Sequence, residues 1–214
     1  MAMPLFAAAR PPSVPARAGV SLARPSIPRL RVYMDVMNTW MGAAQYSAAR
    51  LRLARTPQEA SDLGIIDPDL RLRFKRLREF AVGSDTSSSR AVFFGSVKTE
   101  TDRRIQDPAE RAGWIAHMPV RSVNGREKEV DTGIAVGMLE DQMLSGANPA
   151  EVEVTLISGD RDQLPAVRSL TRIGVRVDVA AWSHTASQDL IRAARRFIPL
   201  DDYFDTLTFR EGAV

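Results

Sequence analysis

Four aspartates carry most of the chemistry this sequence offers. Asp160 and Asp162 stand one residue apart in VEVTLISGDRDQLPAV, where a run of apolar and β-branched residues (Val152, Val154, Leu156, Ile157) stops abruptly. Asp35 closes a second apolar run, RVYMDV, and Asp131 opens the helical stretch VDTGIAVGMLEDQML on the stripe of Ile134 and Met138. An inward-pointing acid at a helix N-terminus gains from the helix dipole, yet converging carboxylates repel one another unless a cation joins them. With no cysteine and no suitable histidine pair, such a cluster is hard and oxygen-rich, and its natural occupant is Mg²⁺ or Mn²⁺.

Each acid also has an ordinary explanation. Asp162 serves equally as the N-cap of a helix beginning at Gln163, Asp160 as a turn residue after Gly159, and Asp131 as a cap of its own helix. Asp35 near Asn38 suits an Asx-type turn. Taken singly these readings suffice; the recurrence of acids at strand ends and on one helix face favours the metal site. Other chemistries find no support, since there is no GxxxxGK[ST] phosphate loop, no GxGxxG and no HExxH. His117 and His184 are expected to be surface or packed residues, and Trp40 and Trp182 to belong to the core.

The elements that must position these acids alternate in type. RVYMDV (31–36) predicts a buried strand, followed by a helix over 39–54. DPDLRLRFKRLREFAV predicts a helix capped by Asp67 or Asp69, with Leu70, Phe74 and Leu77 at helical spacing. A strand over 90–97, a polar loop TETDRRIQDPAE, a short helix near Glu110–Ala116 and a strand near Pro119–Val123 come next. The 130–144 helix, the strand before Asp160, the helix QLPAVRSLTRI ending at Gly174, the strand 175–182 and a last helix, SQDLIRAARRF, complete the series. Strands separated by helices imply βαβ units and a parallel sheet covered on both faces, with functional groups beyond the carboxyl ends of its strands.

Composition sets the outer limits. The chain has 214 residues and 44% hydrophobic content, enough for one domain with a substantial core. No apolar run reaches transmembrane length, so a soluble protein is expected. The absence of cysteine excludes disulfides and favours a reducing compartment. Residues 1–30 hold four arginines, six prolines and no acid, a composition expected to remain a disordered extension before a domain spanning 31–214. The prolines interrupt any amphipathic helix, so a bacterial cytoplasmic location is expected ahead of organellar import.

Three motifs resemble a known family. VYMDVMNTW is similar to the opening of NYN domains (LabA-like), KEVDTGIAVGML to their Lys-x-x-Val-Asp helix, and LISGDRDQLPAV to their Ser-Gly-Asp-x-Asp strand end. GVRVDVAAW and RRFIPLDD resemble the segments that come after this strand end in the family, so the likeness runs over residues 31–203 in matching order. NYN domains belong to the PIN-like nuclease superfamily. The resemblance implies an α/β, three-layer Rossmann-like fold with a central parallel sheet flanked by helices. It also implies a metal-dependent ribonuclease in which Asp35, Asp131, Asp160 and Asp162 bind Mg²⁺ or Mn²⁺ and RNA is the partner, single-stranded or structured. Asn38, Ser158 and Lys128 would be supporting residues, and Arg161, Arg126 and Arg121 rim residues facing phosphates, although solvent exposure explains the arginines equally well. Where many relatives carry a further Asp in the helix and an aromatic after the last Asp, this chain has Gly137 and Gln163. A non-catalytic RNA-binding or regulatory module is therefore the competing expectation; no membrane partner is expected, and homo-oligomerisation is left open.

Overall fold

The computed structural model describes residues 27–83, 88–95, 100–118 and 128–212, with the side chains of 100–104, 128, 129 and 131 left aside. The proline-rich segment up to residue 26, the predicted strand near Pro119–Val123, and Arg121 and Arg126 lie outside the described residues. Strand β1 is Leu30–Asp35, the Arg29 carbonyl accepts a hydrogen bond from Glu153 N, and the Pro28 carbonyl accepts one from Arg31 Nε.

From β1 the chain runs through helices α1 (Val36–Arg50) and α2 (Pro57–Leu63), short strand β2 (Leu70–Leu72) and α3 (Phe74–Val82) to β3 (Ser89–Phe94). Helix α4 (Glu100–Arg111), β4 (Ile115–His117) and α5 (Lys128–Ser145) lead to β5 (Glu153–Ile157). Then come α6 (Leu164–Arg172), β6 (Arg176–Ala181), α7 (Gln188–Ala193), β7 (Arg196–Pro199), α8 (Phe204–Leu207) and β8 (Thr208–Arg210). Six strands form one sheet in the order β4-β3-β1-β5-β6-β7, every pair parallel; β2 and β8 form a separate antiparallel pair. This is the three-layer α/β architecture expected from the sequence.

The pleat sorts side chains onto two cores. Val32 and Met34 of β1, with Ala91 and Phe93 of β3, pack with Ala43, Ala44, Leu77, Trp182 and Phe204 on one face. Tyr33, Val92 and Phe94, with Val154, Leu156, Val177 and Val179, pack against Ile134, Met138, Val167 and Leu190 on the other. Alternate residues pointing to opposite, equally buried faces are what a parallel sheet covered by helices requires. Trp182 is in the core as expected; Trp40 is only half-buried, its Nε1 donating to the Leu70 carbonyl. No helix among the described residues is long and apolar enough to cross a membrane.

Four local expectations are corrected. Residues 70–72 are a strand, because Leu70, Arg71 and Leu72 pair with Arg210, Phe209 and Thr208; the helix starts only at Phe74. Residues 100–110 of the polar segment lie in helix α4 rather than a loop, and residues 115 and 116, expected in the short helix near Glu110–Ala116, belong to the edge strand β4. The last helix stops at Ala193, and Arg196–Pro199 form strand β7.

Candidate active site at the sheet switch point

In chain order the sheet grows outward from β1 through β3 to β4, then returns to the opposite side of β1 with β5. Such a reversal opens a crevice beyond the carboxyl ends of the two central strands, where open α/β sheets bind their ligands. Asp35 is the last residue of β1, and Ser158, Gly159 and Asp160 come directly after β5. Met34 pairs with Ile157, so the two acid-bearing ends emerge side by side.

A chain of hydrogen bonds ties these ends together. Asp35 is only 4% exposed and caps α1, its Oδ1 accepting from Asn38 N at 2.9 Å. Asn38 in turn crosses the crevice, its Oδ1 accepting from Gly159 N at 2.9 Å. Thr39 Oγ1 donates to the Asp35 carbonyl at 2.6 Å, and Trp182 Nε1 donates to the Thr39 carbonyl at 2.8 Å. Gly159 is required sterically, since a Cβ there would stand 2.7 Å from the Thr185 carbonyl oxygen. The loop thus holds the β5 end against 185–187, where Ser187 N donates to the Gly159 carbonyl.

Beyond Gly159 the turn is built on Asp160. Its Oδ1 accepts from Asp162 N at 2.9 Å and caps the 3-10 turn Arg161–Gln163, while its own N–H donates to Ser158 Oγ at 3.2 Å. Ser158 is fully buried, so it acts by fixing the Asp160 backbone. The capping role anticipated for Asp162 therefore belongs to Asp160; Asp162 is exposed at the crevice rim. Arg161 forms an ion pair with Asp189 at 3.0 Å, an exposed contact that also involves Arg192. The hydrogen bond from Arg192 and the charge of Arg161 hold Asp189 below the usual carboxylate range.

Helix α5 closes the crevice from the side. It packs against β1, β3 and the 161–163 turn, and Asp131 lies in its first turn. Of Lys128 and Asp131 only the backbone is described. At Gly137 a Cβ would come within 3.2 Å of Phe94 Cζ, so a side chain here would press on the Phe94 ring. Gln163 is fully buried beneath the turn.

The sheet edge also presents a group that sequence spacing did not single out. Asp35, Phe94 and His117 are register partners across β1, β3 and β4, and exposed His117 packs on the Phe94 ring at 5.0 Å between centroids. Its signal was positional, as the last residue of an edge strand.

The donors present are carboxylates and backbone oxygens without sulfur, chemistry that fits Mg²⁺ or Mn²⁺. Each capping bond uses one oxygen of Asp35 and Asp160, and a carboxylate has about four acceptor positions. Among the described residues no three acidic or histidine side chains are arranged to hold one ion, and the Asp131 side chain stands outside that set.

The fold, the switch-point acids and their order along the chain define a class, the PIN-like nuclease superfamily. Within it the chain belongs to the NYN domain family, whose model matches residues 29–201. It is also similar in fold to the crystal structure of a protein of unknown function from Vibrio parahaemolyticus, with a TM-score of 0.55 and 18% identity over 83% of this chain and 96% of that one. None of the curated proteins compared matches the chain. Family membership gives a nuclease-like, RNA-related domain.

Proposed function

We propose that this NYN domain hydrolyses RNA phosphodiester bonds at the crevice between β1 and β5, using Asp35, Asp131, Asp160 and Asp162 as ligands for Mg²⁺ or Mn²⁺. The observation that carries the reading is the Asp35–Asn38–Gly159 connection, which locks two acid-bearing strand ends into one rigid edge. When bound, a divalent cation would offset the negative charge of the phosphodiester and lower the pKa of water.

The protein's part is to hold acids that bare RNA would otherwise repel. Asp35 is preorganised by the α1 N-terminus, and Asp160 by its own turn. Asn38 keeps the two in register, and Ser158 steadies the Asp160 backbone. Lys128, Arg126 and Arg121, with Arg161 released from its exposed pair, would meet flanking phosphates, since a solvent-screened pair yields readily to a better anion. A second reading, a regulatory RNA-binding module without turnover, is favoured by the exposure of Asp162 and by Gly137.

Incubating the purified protein with end-labelled single-stranded and hairpin RNA separates the two. Hydrolysis is expected in Mn²⁺ or Mg²⁺ and none in EDTA. Intact RNA in every condition would leave the binding module as the better account.

A further inference from the structure

A groove of about 840 Å³ lies beside the crevice, between the start of α1, the β2–β8 pair, α3 and α4. Val36, the residue after Asp35, forms part of its floor. Its lining combines apolar rings with positive charge. Trp40, Phe74 and Phe209 supply the rings; Arg71, Arg73, Lys75, Arg76 and Arg111 supply five positive charges against the one negative charge of Glu211, a balance of +4. The whole chain carries only +3, so positive charge is concentrated here.

Resting on the RNA reading above, we infer that this groove is the track for single-stranded RNA, feeding a strand toward Asp35 with at least one base stacked on Phe209. Phe209 is 41% exposed on β8, beside the cations of the groove. It is held in place: Arg73 Nε donates to the Thr208 carbonyl at 2.9 Å, and the Arg73 guanidinium sits 5.0 Å from the Phe209 ring centroid. A ring braced by a cation and open to solvent offers a stacking platform, while Lys75 and Arg76, exposed on α3, lie where a backbone would run. Bases inside a duplex are stacked on one another and show only their edges, so a platform of this kind selects unpaired strands. Arg71 pairs with Glu211, and Lys75 and Arg76 both pair with Glu79; these exposed pairs yield to a phosphate backbone as readily as other solvent-screened ones.

The test measures binding of the full chain, in EDTA, to a labelled single strand of about ten nucleotides and to its blunt duplex, by fluorescence anisotropy. The single strand is expected to bind more tightly. Phe209→Ala should weaken single-strand binding about tenfold, and Lys75→Glu should weaken it and reduce the salt slope by about one or more. Lys75 is exposed, so its variant keeps the fold and guards against a misfolded Phe209→Ala. The groove assignment is overturned if both variants bind like wild type, or if duplex binds as tightly as single strand. A protein that shows these preferences yet cuts nothing in Mn²⁺ refutes hydrolysis and leaves the groove standing. One that cuts RNA with an unchanged KM in Phe209→Ala and Lys75→Glu refutes the groove and leaves hydrolysis standing.

Discussion

Asp160→Asn is expected to lower metal-dependent RNA cleavage by about a hundredfold or more with little change in stability. A cation at a phosphodiester contributes several kcal/mol of transition-state stabilisation, and each 1.4 kcal/mol is about tenfold in rate. Removing the charge of a ligand forfeits much of that. The substitution is clean because the Asp160 oxygen that accepts from Asp162 N is retained as an amide oxygen, and Asn caps about as well as Asp. Asp160→Ala should lose the same activity and, in addition, about 1 kcal/mol of stability from the missing cap. Single-turnover cleavage and thermal melting of the two variants separate the charge from the cap. An Asp160→Asn protein that cleaves like wild type removes Asp160 from the catalytic set.

In the absence of metal, the largest loss of stability from one substitution is expected away from the crevice. Asp178 in β6 has a side chain only 6% exposed and accepts from Arg195 Nε and Nη2 at 2.8 Å and from Arg196 Nη2 at 2.7 Å. Burial pushes its carboxyl up, but the hydrogen bonds and charges of the two arginines outweigh this and hold it below its usual range. Removing one partner of a fully buried ion pair costs about 3–5 kcal/mol. Here the arginine side chains are 41% and 63% exposed and regain water when abandoned, so Asp178→Ala should cost less, about 2 kcal/mol. The sign of the pH dependence is set by the lowered value. The contribution is fully present above the unfolded pKa and is lost as pH falls through the lower folded one. Denaturant melts of wild type and Asp178→Ala should therefore differ by a constant amount at neutral pH and converge below about pH 4. A difference that persists undiminished at pH 2 would assign the cost to packing instead.

What the sequence showed and what it hid divide along the range of the interactions. β1, α5, β5, α6 and β6 are built from local apolar periodicity, so their existence and order were legible, as were Asp35 and Asp160 at strand ends. Strand β2 was not, because Leu70, Phe74 and Leu77 have helical spacing, and residues 70–72 are extended only by pairing with 208–210 at the far end of the chain. Helix α4 offers only Ile105 and Ala109 as apolar residues in sequence, and Ala109 is the one fully buried among its described side chains, so its hydrophobic stripe was too thin to stand out from polar loop. Asp160, legible as a turn residue, is the one that caps, rather than Asp162; by residue type the two are equally good caps, and the choice depends on a single turn of backbone. Asn38 was visible as a motif residue, but its bond across to Gly159 was not, since only the sheet brings α1 and the β5 end together. The groove likewise draws on α1, β2, α3, α4 and β8, segments that no sequence window spans.

The central claim is that the switch-point acids hold a divalent cation, and thermal melting across a Mn²⁺ titration tests it most directly. A ligand bound only by the folded state stabilises it by RT ln(1 + [L]/Kd), about 2.7 kcal/mol at a hundredfold excess over Kd. For a domain of this size that corresponds to a rise of about 5–10 °C in Tm. Asp35→Asn keeps the α1 cap, as asparagine accepts the same bond from Asn38 N, yet removes a ligand charge; it should lose most of the rise. The account predicts a saturating, Asp35-dependent increase in Tm with Mn²⁺. A wild-type melting curve unmoved by millimolar Mn²⁺, or a rise that Asp35→Asn shares in full, would contradict it.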